Sequence, residues 1–241
     1  MEKIVTFIFV SCLMFFPAHL RGEDVFLSGP LFHYIEDKIH YSRLGATESE
    51  VRAVLDAYSS VETFLKDIVL GLQTENHRIN EEVFVFLMRI HEHKTKIQDY
   101  ETIKKFMLMP EVGREIRRLN GIDHTKKERS LIFDHKVPMM NIIGYYELRP
   151  LFDIIYVNTS HEEPWIRSTA YFTIGEIGKF EKRKALLYLR RGLKDSGTYM
   201  VGPSFSRSVS EDAVESCVRL GCRFRLLLWI HAPEYRFKLY E

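Results

Sequence analysis

Residues 163–178 read Glu163-Pro164-Trp165-Ile166-Arg167-Ser168-Thr169-Ala170-Tyr171-Phe172-Thr173-Ile174-Gly175-Glu176-Ile177-Gly178, and after a short polar turn the chain continues as Lys184-Ala185-Leu186-Leu187-Tyr188-Leu189 and Gly192-Leu193-Lys194-Asp195. Pro164 stands where a first helical residue belongs, because the N–H it lacks would be unpaired there anyway. Ile166, Ala170, Ile174 and Ile177 follow at i, i+4, i+8 and i+11, a single stripe on a helix. Ala170, Gly175 and Gly178 are small where a neighbouring helix crosses closely. Leu186, Leu189 and Leu193 line a second helix. The segment predicts two helices folded into a hairpin.

The pattern recurs on both sides. Ile143-Gly144 stands 34 residues before Ile177-Gly178 and is followed by Tyr145-Tyr146-Glu147-Leu148-Arg149-Pro150-Leu151-Phe152, the end of one helix and the start of the next. Downstream, Ala213 with Leu220-Gly221 reproduces the spacing from Ala170 to Ile177-Gly178 at a distance of 43 positions. The extra residues fall in Ser196–Ser208, a loop bearing Gly, Ser and Pro. Two and a half to three units are thus visible between about 137 and 241.

On these residues the chain resembles HEAT repeats of the short bilin-lyase type. Their units run acidic-Pro-x-Val-Arg-x-x-Ala, then Leu-Gly-x-Ile-Gly, then Leu-x-x-Leu and a closing Leu-x-Asp, matched closely by 163–195. The resemblance implies an α-solenoid of HEAT-like helical hairpins. It also implies that Arg167 and Asp195 fill the places of a structural inter-repeat ladder, with a guanidinium fork satisfying carboxylates or helix-end carbonyls.

Helical periodicity dominates the first half too. Residues 47–72 open on Thr47 with Glu50 three positions later, a capping box. Val51, Val54, Leu55, Tyr58, Val61, Phe64, Leu65, Ile68 and Val69 then predict one amphipathic helix ending near Gly71. A second helix is expected from about Asn80, as N-cap, to His93, with shorter ones over 97–109, 111–119 and 126–135. Strand-like alternation is nearly absent. Arg223–Ile230 reads as either a strand or a buried helix. The expected fold is therefore all-α, with a helical region over 23–136, as diverged repeats or a cap, before the repeats of 137–241.

Residues 1–22 read as a secretory signal peptide. Lys3 precedes an apolar run from Ile4 to Phe16, then Pro17, Ala18 and the polar Arg21-Gly22-Glu23-Asp24. The run is too short to span a bilayer, which needs about 20 apolar residues. Cleavage is expected after Ala18 or Gly22, with Gly22 favoured, and a secreted or periplasmic location follows. Cys12, after Val10-Ser11, falls too early for a lipoprotein box, so no lipid anchor is expected. The two remaining cysteines, Cys217 and Cys222, either pair in an oxidising compartment or serve as small buried apolar residues.

The formal charge of +1, mixed along the sequence, argues against a nucleic-acid partner, which needs a basic surplus or stripe. His91-Glu92-His93 sets two histidines on different helix faces, so they read as solvated and not as metal ligands. The His-Glu pairs at His91-Glu92 and His161-Glu162 are similar to those of iron-binding HEAT-repeat hydroxylases, but Ser168-Thr169 occupies the place where that family carries His-Glu after the Arg. The segments Tyr188-Leu189-Arg190-Arg191-Gly192 and Phe205-Ser206-Arg207-Ser208-Val209-Ser210 resemble the Arg and serine segments of arginine-type ADP-ribosyltransferases, which use NAD. The Glu-x-Glu such enzymes require is missing from Ser210 to Glu241. Hydrolase elbows, Walker loops and dinucleotide fingerprints are absent as well. Asn158-Thr159-Ser160 is a glycosylation sequon. No cofactor is implied. The expectation is a protein-binding scaffold working through a groove of stacked helices; Trp165, Tyr171, Tyr188, Tyr199, Trp229 and Tyr235 are the aromatics available to a partner, although at helical spacing most such residues are core.

Overall fold

The computed structural model describes residues 28–41, 47–122, 135–201 and 206–221. Helix makes up 74% of them. The helices are α1 (Pro30–Tyr41), α2 (Glu48–Asp56), α3 (Val61–Gln73), α4 (His77–Glu92), α5 (Tyr100–Met107), α6 (Pro110–Asn120), α7 (Lys136–Tyr145), α8 (Phe152–Asn158), α9 (Pro164–Ile177), α10 (Lys182–Gly192) and α11 (Val209–Arg219). One antiparallel ribbon, β1 (Thr198–Met200) with β2 (Ser206–Ser208), interrupts them. The all-α expectation holds for the described residues.

Four helices form a file in which each packs on the next: α4 on α7, α7 on α9, and α9 on α11. α3 lies against α4 and α6, α8 returns against α9, and α10 packs on both α9 and α11. Small residues set the close approaches. A Cβ on Gly144 of α7 would lie 2.8 Å from Thr173 Cγ2 of α9. A Cβ on Gly175 of α9 would meet Ser216 of α11, with Oγ at 2.8 Å and the backbone Cα at 3.1 Å. Pro110 and Pro164 each open a helix, as the missing N–H predicts.

The first half differs from the sequence reading in instructive ways. The stretch expected as one helix over 47–72 breaks at 57–60, and Gly71 lies inside α3. The capping box of Thr47 and Glu50 does open α2. Ser60, extended at φ −159°, starts α3 anew by accepting the Thr63 N–H. The break frees Tyr58, whose hydroxyl accepts the Leu31 N–H of α1 at 2.9 Å and donates to Asp67. Gly71 is small because Val83 and Phe32 press on it.

Asn80 does not cap its own helix. Asn76 does so, and Asn80, only 2% exposed, donates its amide to the carbonyls of Gly71 at 2.6 Å and Thr74 at 3.2 Å, closing the end of α3. The helices expected at 97–109 and 111–119 correspond to α5 and α6, while 126–135 lies almost wholly outside the described residues. The Ser196–Ser208 loop carries the ribbon, with register Thr198↔Ser208, Tyr199↔Arg207 and Met200↔Ser206.

Candidate interaction surface

α9 is buried almost all round. Ile166, Ser168, Ala170, Tyr171, Thr173, Ile174, Gly175 and Ile177 face protein; besides Pro164 and Arg167 at its start, Trp165, Thr169, Phe172 and Glu176 are half exposed, at i, i+4, i+7 and i+11. α7 repeats the arrangement with Val137, Asn141 and Tyr145 half exposed at i, i+4 and i+8. On α4 the matching positions are Val85 and Met88, bordered by exposed Glu92. Residues at these spacings share one helix face.

Side chains join the stripes across the file. Asn141 Nδ2 approaches Met88 Sδ at 3.9 Å. The Tyr145 ring stacks on His91 with centroids 4.7 Å apart and planes 12° apart. Arg219 of α11 lies 4.0 Å over the Phe172 ring and pairs with Glu176. The result is a ribbon of aromatic, Met and Val surface rimmed by charge, the composition that distinguishes interface cores from ordinary surface.

Beneath Tyr145 lies a small aromatic nest. His91 Nδ1 and the Tyr100 hydroxyl are 2.7 Å apart, and the Tyr146 ring tilts against both. Burial, helped by Lys94 and Lys104, pushes the His91 pKa down to about 4, so the ring is neutral at neutral pH. Burial likewise raises the Tyr100 hydroxyl to about 12. The solvated-face reading of His91 is thus corrected: its neighbours on the other helices cover it. His161 is also engaged, its Nδ1 accepting the Glu163 N–H at 3.1 Å.

Two polar clusters are built on α9. Arg167 grips Asp195 with two bonds, Nε to Oδ2 at 2.7 Å and Nη2 to Oδ1 at 2.9 Å, and donates Nη1 to the His161 and Glu162 carbonyls at 2.8 Å each. Both partners lie within one hairpin, and the carbonyls belong to the segment that precedes it. The Arg167 bonds hold the Asp195 carboxyl below the usual range. The second cluster centres on Asp212, 3% exposed, which accepts from Ser168 and from the Tyr199 hydroxyl at 2.9 Å, with Arg207 Nε at 2.7 Å. It fastens the ribbon onto α9 and α11. Nothing in the sequence signalled it, because its members are 44 positions apart at the widest.

Other expected residues fall as follows. Tyr171 is buried at 3% exposure and so is not a surface aromatic, while Trp165, Tyr188 and Tyr199 are half buried. Cys217 is buried in α11, and Cys222 lies outside the described residues, as do Trp229, Tyr235, Phe205, the 223–230 run and residues 1–22. Arg190 is exposed on α10, and Ser208 caps α11 by accepting the Glu211 N–H. Asn158 of the sequon is 4% exposed, with its amide spent on Asn120 and Ile154. Among the described residues no group of three His, Cys, Asp or Glu is placed to hold a metal, and no helix is long and apolar enough to cross a membrane.

Compared with known proteins, the chain matches no family profile, no curated protein and no solved structure.

Proposed function

We propose that this chain is an exported scaffold, a HEAT-like α-solenoid that binds a protein partner along the stripe of α4, α7 and α9. The observation that carries the reading is the run of half-exposed Met88, Tyr145, Trp165 and Phe172 across three packed helices. Aromatic and Met side chains held by a rigid scaffold supply large contact area at little entropic cost, and a few such anchors dominate binding. The repeat character is supported by Gly144 and Gly178, 34 positions apart, where a Cβ would lie 2.8 Å from Thr173 of α9 and 2.7 Å from Leu220, just past the end of α11.

The test compares wild type with Tyr145→Ala/Phe172→Ala in cross-linked pull-downs from the native extracellular or periplasmic fraction. Loss of a partner from the variant, at unchanged helicity and melting, is the expected result. A partner set identical in both would sink the stripe as the binding surface. Export has its own check, since the secreted protein should begin at Glu23. An unprocessed chain retained in the cytosol would overturn it.

A further inference from the structure

We propose that the outward face of α10 is a docking surface for an anionic lipid bilayer. Residues 179–194 carry seven Lys and Arg against the single Glu181, a formal +6, which leaves 27 basic and 32 acidic residues, −5, for the rest of the chain. A near-neutral total thus hides a concentrated basic segment. The fold turns Ala185, Leu189 and Gly192 inward, so the cations face out. Lys182, Arg183, Arg190 and Lys194 are exposed and make no ion pair among the described residues.

Amid these cations stands Leu187, 54% exposed. Arg183 and Lys184 precede it by four and three positions, and Arg190 and Arg191 follow it by three and four, so four cations surround it on the helix surface. On the neighbouring helix α8, Val157 is also exposed, at 67%. α8 and α10 meet through Tyr156 and Tyr188, with ring centroids 4.5 Å apart.

A soluble polyanion rewards charge alone, and an apolar side chain at the centre of the patch adds nothing to it. A bilayer interface rewards both: the cations reach the headgroup phosphates while the leucine enters the boundary with the acyl chains. The helix needs only to lie flat, which its packed inner face already imposes. Each cation near an anionic surface multiplies binding about fivefold. This face points away from α9, so its role is independent of the stripe proposed to bind protein.

Sedimentation of the purified chain with vesicles tests the idea, using phosphatidylcholine alone and a three-to-one mixture with phosphatidylserine, alongside heparin and polyuridylate as soluble polyanions. The mixed vesicles should pellet the protein and the neutral ones should not, with release at ~1 M salt. Arg190→Gln/Arg191→Gln should lower the partition coefficient about twenty-five-fold. Leu187→Asn should weaken vesicle binding several-fold while leaving heparin retention unchanged. All substituted positions are exposed, and Lys182→Gln/Arg183→Gln provides a second pair should the first fail to fold. Failure to bind the mixed vesicles overturns the proposal, as does vesicle binding indifferent to both arginine and lysine pairs. Polyanion binding as strong as vesicle binding, with vesicle binding itself indifferent to Leu187→Asn, would mark α10 instead as a polyanion site and likewise overturn it.

Discussion

His91 is held between the Tyr145 ring and the Tyr100 hydroxyl, and that enclosure makes it a pH-sensitive element. Its folded pKa, about 4, lies below the ordinary value of 6.5. The unfolded chain therefore binds the proton more readily, and the stabilisation from keeping the ring neutral is complete above pH 6.5 and lost as pH falls through about 4. Allowing for screening at a half-exposed site, wild type should lose about 1–2 kcal/mol across that window relative to His91→Phe, read by urea titration at several pH values. Equal acid sensitivity in both proteins would show that the ring is not held as described. The Arg167–Asp195 fork is a second such point. Arg167→Lys keeps the charge but not the two-point geometry, and should cost about 1–2 kcal/mol at pH 7. That gap should narrow in strong acid as Asp195, whose pKa is depressed by Arg167, takes up its proton.

The crossing of α9 and α11 is decided by what fits between two helix backbones. Gly175→Ala would drive a methyl to 3.1 Å from the Ser216 Cα, which no side-chain rotation relieves. It should destabilise by about 1–3 kcal/mol. Ser216, fully buried, has a hydroxyl without a hydrogen-bond partner among the described residues, so Ser216→Ala should stabilise by about 0.5–1 kcal/mol. The contrast is Gly113 on α6, where a Cβ meets only Leu151 at 3.7 Å. There Gly113→Ala should stabilise by about 0.5–1 kcal/mol through helix propensity. Thermal melts of the three variants give the signs directly, and the same direction for both glycines would refute the close-crossing account. At the start of α2 the Thr47 backbone N–H, with Lys38, holds Glu50 down at about 2. Sequence spacing exposed that cap in full, because a capping box is local.

At the scale of the molecule, Tyr146, at the end of α7, joins the C-terminal helices to α4 of the first half. It is fully buried and donates its hydroxyl to the Leu87 carbonyl at 2.9 Å, 59 positions away. Tyr146→Ala should cost about 3–5 kcal/mol. If α4 and α7 belong to one cooperative file, helicity and the fluorescence of Trp165 should shift together as a single transition. A Trp165 transition left at its wild-type midpoint, with only part of the helicity lost, would mean that the two halves fold separately. The molecule also divides by charge. Glu176 belongs to α9 and the basic run to α10, so Glu176→Gln should leave vesicle binding unchanged while testing the edge of the stripe proposed to bind protein.

Helix content, the hairpin at 163–195 and the small residues at its crossings could be read from the sequence alone, because a helix announces its buried stripe through 3.6-residue periodicity and its ends through Pro, Ser and Thr. Only the tertiary structure decided the rest. Periodicity marks a face that is buried without saying against what, and on α7 and α9, apolar nearly all round, it hardly separates core from the narrow open stripe. Hence Tyr171 turned out buried and Phe172 open. Asn80, His91 and Asp212 found their roles in partners from other elements, and the break at 57–60 follows from what Tyr58 reaches on α1. The basic run of α10 was present in the sequence but cancelled in the total charge. It became a surface only when packing turned Ala185, Leu189 and Gly192 inward and left Leu187 among the cations.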